Sequence, residues 1–91
     1  MAVQVYNSDS NFLFEFSENN EIEQAFDELF KRTGIYVDVY GGTTRLYKNH
    51  AQILVDFLDK RGNQITKMAK DFKDNLSATL KKDEMLYVIG D

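Results

Sequence analysis

Residues 20–34 read NEIEQAFDELFKRTG, and this stretch decides the fold. Ile22, Ala25, Phe26, Leu29 and Phe30 fall at i, i+3, i+4, i+7 and i+8, a full apolar stripe down one side of a helix. Asn20 with Glu23 has the spacing of a capping box, Asn standing in for the usual Ser or Thr. Glu21 and Glu23 lie in the first turn, Lys31 and Arg32 in the last, and both placements suit the helix dipole. Gly34 follows where a left-handed C′ residue is needed. A helix with one apolar side needs a layer to cover it, so the flanking segments must supply a sheet or more helices.

Both kinds of partner lie on either side. Upstream, Val3 and Val5 alternate with polar neighbours over residues 2–6. Phe12, Phe14 and Phe16 alternate with Leu13 and Glu15 over residues 12–16. Period-two alternation in β-forming residues predicts two strands. The intervening NSDSN, residues 7–11, is turn chemistry and predicts a hairpin loop. Downstream, Ile35, Val37 and Val39 alternate with Tyr36, Asp38 and Tyr40, which predicts a third strand, broken by Gly41 and Gly42. Thr43 or Thr44 is placed to cap a second helix, whose inner face would carry Leu46, Tyr47, His50, Ile53, Leu54, Phe57 and Leu58 until Gly62 ends it. A third helix is expected from about Asn63 to Lys82 on the stripe Ile65, Met68, Ala69, Phe72, Leu76 and Leu80. The run Met85-Leu86-Tyr87-Val88-Ile89 predicts a central, doubly covered final strand.

The expected fold is a single α+β domain over residues 1–91. Its order is β-β-α-β-α-α-β, with a four-stranded mixed or antiparallel sheet and helices mainly on one face. Each fully buried Phe or Leu of the stripes contributes about 1.5–3 kcal/mol, so the stripes dominate stability.

Composition narrows the function classes. Apolar residues make 43% of the chain and charged residues 29%, values of a globular domain rather than a disordered one. Without Cys there is no disulfide framework, thiolate metal site or cysteine nucleophile. No apolar run reaches the length of a membrane span, and none follows a basic N-terminal segment. A cytoplasmic setting is therefore expected, with no membrane partner. Charge is uneven: residues 1–30 carry seven acids and no bases, while residues 31–91 carry all 11 bases and eight acids. Such polarity suits a charged binding surface or head-to-tail self-association; solvated helix faces and caps explain the same residues.

Three groups of residues are candidate sites. The first is the acidic and aromatic set Glu15, Glu18, Glu23, Asp27, Glu28, Tyr36 and Tyr40, which would offer spaced negative charge and Tyr anchors to a basic protein partner. The second is Gly41-Gly42-Thr43-Thr44-Arg45. If it opens a helix, free N–H groups and two glycines would admit an anion; a tight turn before a Thr cap is the simpler account of the same residues. It lacks the spacing and Lys of a phosphate-binding loop. The third is the basic set Lys60, Arg61, Lys67, Lys70 and Lys73, a row that would contact nucleic-acid phosphates, against which stand a pI near 4.9 and interleaved Asp71 and Asp74.

The lone His50 has no Cys or second His to share a metal, and nothing local marks a catalytic triad with Ser8, Ser10, Ser17 or Ser77. Asp56 with Asp59 reads as a salt-bridged helix exterior. No metal, cofactor or catalytic residue is expected. The reading is a small non-enzymatic module that binds another protein as an inhibitor or regulator, a composition suited to phage-type anti-defence or immunity-like proteins. The alternative is binding of nucleic acid or a nucleotide phosphate. A homodimer is compatible with either, since the sheet must have two edges.

Overall fold

The computed structural model describes residues 2–82 and 85–90, apart from the Asn63 side chain. Strands β1 (Ala2–Asn7) and β2 (Phe12–Ser17) form the expected hairpin. Its loop is closed by the Asn7 side chain, whose Oδ1 accepts from the backbone N–H groups of Asp9 and Asn11 at 3.0 and 2.9 Å. Helix α1 (Asn20–Thr33) follows, then β3 (Gly42–Leu46), α2 (Lys48–Asp59), a 3-10 turn at Gly62–Gln64, α3 (Lys67–Lys81) and β4 (Leu86–Gly90). The sheet order is β2-β1-β4-β3 and every pairing is antiparallel. The α+β class and the order of elements are those read from the sequence.

Alternation along the strands sends Val3, Val5, Phe16, Leu46, Leu86 and Val88 to the helix side, where all are buried. The helices meet them with Ile22, Ala25, Phe26 and Leu29 from α1, Ala51, Leu54 and Leu58 from α2, and Ala69, Phe72 and Leu76 from α3. Helix α2 packs between α1 and α3. Strand β4 is central, as expected, but only one of its faces is covered: Leu86 and Val88 are buried while Tyr87 and Ile89 keep partial exposure.

The third strand is not where alternation placed it. Residues 35–40 make no ladder; they run as an extended strap that leads from the left-handed Gly34 (φ 78°) to β3. The alternation named the right buried face, since Val37 and Val39 are buried and Tyr36 and Tyr40 are exposed. It did not specify hydrogen-bond partners. Asp38 Oδ1 accepts from the Tyr40 N–H at 2.9 Å, a local turn that competes with a ladder. The strand is instead Gly42–Leu46, where Thr43 pairs with Ile89, Thr44 with Val88 and Arg45 with Tyr87. Consequently α2 starts at Lys48, not at a Thr cap. Its first turn is closed by His50, whose Nδ1 accepts from the Tyr47 N–H at 3.0 Å. Leu46 belongs to the sheet rather than to α2.

The helix starts are clasped to each other. The cap of α1 is Asn19, one residue before the expected Asn20: its Oδ1 accepts from the Ile22 N–H at 3.0 Å, and its Nδ2 donates to Thr66 Oγ1 at 2.9 Å. Thr66 caps α3 by accepting from the Ala69 N–H, and its own N–H donates to the Glu21 carboxylate at 2.7 Å. The third helix therefore begins after Thr66 and not at Asn63. Met68, expected in its apolar stripe, is exposed, and near the other end of the helix Thr79 is buried while Leu80 is only partly so.

Gly90 has a different role. It ends β4 on the helix side of the sheet, directly beneath the strap, and a Cβ there would collide with the Asp38 carbonyl oxygen and the Val39 carbonyl carbon. Gly90→Ala is therefore expected to cost about 1–3 kcal/mol by overpacking, read as a lowered urea midpoint. Asn19→Ala removes one cap and the bridge to the other, and should lower stability by about 1–2 kcal/mol in the same titration. Wild-type midpoints for either variant would contradict the packing and the clasp, respectively.

Candidate functional site

The strap brings two distant parts of the sequence together. Tyr36, Val37, Val39 and Tyr40 lie against the Glu23, Phe26 and Asp27 side of α1 and enclose a cleft of about 150 Å³. Its floor is apolar, formed by buried Phe26, Val37 and Val39. Its rim is polar and aromatic. Glu23 and Asp27 are one turn apart on α1, and neither makes an ion pair or side-chain hydrogen bond among the described residues. Two like charges at this spacing destabilise a helix slightly, so the pair is not there to hold α1 together.

Both tyrosines are largely exposed, Tyr36 at 65% and Tyr40 at 73%. They are nevertheless positioned. The Tyr36 ring meets the Phe30 ring edge-on, with centroids 6.1 Å apart, which explains why Phe30 leaves the expected core stripe and stays half exposed. Tyr40 is held through its backbone by the Asp38 turn. An acidic rim with two fixed rings over an apolar floor suits a cationic side chain: carboxylates receive the charge, ring faces attract it, and the floor takes an alkyl stem.

The structure divides the rest of the acidic and aromatic set. Glu28 lies outside the cleft lining, and its carboxylate takes the Arg32 Nε at 3.0 Å. Glu15 is on the far face of the sheet and accepts from Gln4 Nε2 at 2.9 Å. Glu18 is exposed in the turn before α1 and outside the cleft lining. Tyr36 and Tyr40, expected on the outer face of a third strand, belong to the strap instead. The set thus reduces to Glu23, Asp27, Tyr36 and Tyr40. Alternation gave the outward direction of both tyrosines; their meeting with α1 depends on the path of the strap, which no local pattern encodes.

The other two candidates fare differently. Thr43, Thr44 and Arg45 are in β3, which begins at Gly42, so the helix start that the anion reading assumed is not there. Arg45 instead lies over the Tyr87 ring at 5.6 Å, and the neighbouring Tyr47 and then Tyr87 raise its pKa. In the basic set, Lys67 pairs with Asp71 and Lys73 with Asp59, each at 3.4 Å. Arg61 donates to Gln24 at 2.7 Å and lies over the Phe57 ring at 4.8 Å. Lys60 and Lys70 are exposed. These bases are interleaved with acids, as on an ordinary solvated surface. His50 is buried and its Nδ1 is committed to the Tyr47 N–H.

Among the described residues no helix is long and apolar enough to cross a membrane. No family model, curated protein or solved structure matches the chain.

Proposed function

We propose that the chain is a small protein-binding module, inhibitory or regulatory in kind, that works by occupying a partner rather than by catalysis. Its contact surface is the cleft between α1 and the strap, and the partner feature it accepts is basic. One observation carries the reading: Glu23 and Asp27 hold unpartnered carboxylates beside two positioned, exposed tyrosines on a single cleft. Tyrosines in such a setting are typical anchors of protein interfaces. The seven acids of residues 1–30 add a long-range field that would speed encounter with a basic surface. Small, acidic and without Cys, the chain has a composition suited to accessory inhibitors such as phage-type anti-defence and immunity-like proteins.

The test is affinity capture from source-cell lysate with tagged protein, at low and moderate salt, with nuclease in one arm. A protein partner should be captured and should survive nuclease. Tyr36→Ala with Tyr40→Ala, and separately Asp27→Lys, should each weaken binding at least about 30-fold, the scale of an interface hot spot. Their circular dichroism should not change, because all three side chains are exposed. Full binding by both variants moves the contact off the cleft. Loss of all captured material on nuclease treatment transfers the function to the basic set on α3 and at the end of α2.

A further inference from the structure

All three helices cover one face of the sheet, and the opposite face has no layer over it among the described residues. The register places its side chains in rows. Gln4 lies between Glu15 and Ile89, and Ile89 lies beside Thr43; one step along, Tyr6 lies between Phe12 and Tyr87, and Tyr87 lies beside Arg45. A shift in the β1–β2 register between Val5 and Tyr6 brings Phe12 opposite Tyr6, with ring centroids 5.8 Å apart. That shift removes Phe12 from the core side, where simple alternation would put it, and leaves it 56% exposed. Tyr6, Thr43, Tyr87 and Ile89, with Ser10 at the end, surround a shallow hollow of about 270 Å³. The centre of the face is thus aromatic and apolar.

Charge sits only at its margins. The charged residues that the register puts on this face are Glu15, on edge strand β2, and Arg45, on edge strand β3. One acid and one base at opposite edges make the face electrostatically complementary to itself. A single-stranded nucleic acid would find rings to stack on but no net positive charge for its phosphates, so that occupant is disfavoured.

We propose that this face pairs with the same face of a second copy, about a twofold axis that runs along the strands between β1 and β4. Because two strands lie on either side of that axis, the rotation sets β2 of each copy over β3 of the other. Phe12 then faces the partner copy's Arg45, whose guanidinium already lies over its own Tyr87 ring. Glu15 falls level with the partner copy's Thr43, two residues along β3 from Arg45, an offset of about 7 Å, with the sheets about 10 Å apart. Extended Arg and Glu side chains span that gap, and the symmetry makes the ion pair twice. The Tyr6, Tyr87 and Ile89 rows close the centre. Four strands of five or six residues cover about 19 Å by 17 Å, less than a standard specific interface takes from each partner, so the dimer is weak and transient.

The experiment is sedimentation velocity from low micromolar to millimolar protein, on wild type, Arg45→Glu, Glu15→Arg and the double exchange. Wild type should pass from monomer to dimer with concentration. Each single exchange sets like charges together at both margins and should raise the dissociation constant at least about tenfold; the double exchange restores the pairs and should return it to within about threefold of wild type. Both side chains are exposed, so the fold is retained, and circular dichroism verifies it. Ile89→Lys, which puts a charge in the centre of the face, should abolish the dimer. Wild type that stays monomeric throughout overturns the proposal, as does a double exchange no better than the singles. A dimer indifferent to every exchange means pairing elsewhere, such as through the free edge of β2, and overturns it too. The Tyr36→Ala, Tyr40→Ala variant should dimerise like wild type, so failure of the cleft and failure of this face are told apart.

Discussion

The ring of Phe72 is the point at which the layers join. It lies 5.7 Å from Phe14 and Phe16 of β2 and 6.0 Å from Phe26 of α1, the last edge-on. Phe16 in turn meets Phe26 at 6.2 Å. One side chain of α3 therefore contacts both the sheet and the first helix, which are otherwise linked to α3 by few contacts. In a chain of 91 residues without disulfides such clustering matters, because a modest core leaves little margin. It also sets direction. With α3 fixed to β2 and α1 by these rings, Thr66 comes within hydrogen-bonding distance of Asn19 and the two helix caps become one polar unit. The apolar contacts fix where the helices lie, and the clasp fixes where they begin.

That division explains what the sequence disclosed. The stripe of α1 was legible except at its end: Ile22, Ala25, Phe26 and Leu29 are buried and Gly34 adopts the left-handed conformation, while Phe30 is half exposed. Helical stripes are local, so their reading survives in three dimensions. The strap was half legible. Alternation over residues 35–40 reports an extended chain lying on a core, and that is what Val37 and Val39 do. Whether such a chain also joins a ladder depends on what lies beside it. Here β4 takes Gly42–Leu46 as its neighbour, a stretch with weaker apolar alternation that its local chemistry assigned to a helix start. The deciding feature is Gly90, fifty positions or more from the strap it admits, and no local window contains both.

The candidate site shows the same limit. The acidic residues were visible as a list, but their roles separated in space: Glu21 supports the α3 cap, Glu28 holds Arg32, Glu15 lies across the sheet, and only Glu23 and Asp27 face the strap. Which side chains the open sheet face carries was misread for a related reason. Phe12, Phe14 and Phe16 read as one buried row, whereas the register shift at Val5 and Tyr6 transfers Phe12 to the other side. A shift of this kind leaves no mark on hydrophobic periodicity, yet it moves one large ring from the core to a surface.

The two surfaces are independent in position, and this bears on how they would work together. The cleft is built from α1 and the strap, on the helix side of the sheet; the aromatic rows of Tyr6, Phe12 and Tyr87 are on the other. Sheet-to-sheet pairing therefore covers neither Glu23 and Asp27 nor the two strap tyrosines, and turns both clefts outward from the twofold axis. A dimer of this form would be bivalent. For a partner that is itself an oligomer or carries repeated basic features, the second contact becomes intramolecular, and avidity can exceed the affinity of one cleft by about 10²-fold or more where the spacing matches. A weak, reversible dimer is then an advantage for an inhibitor: a symmetric partner would favour the paired form by engaging both clefts, while the free chain stays largely monomeric. The stability spent on like charges at Glu23 and Asp27 and on exposed rings is small, and a target that engages two clefts at once would return it twice.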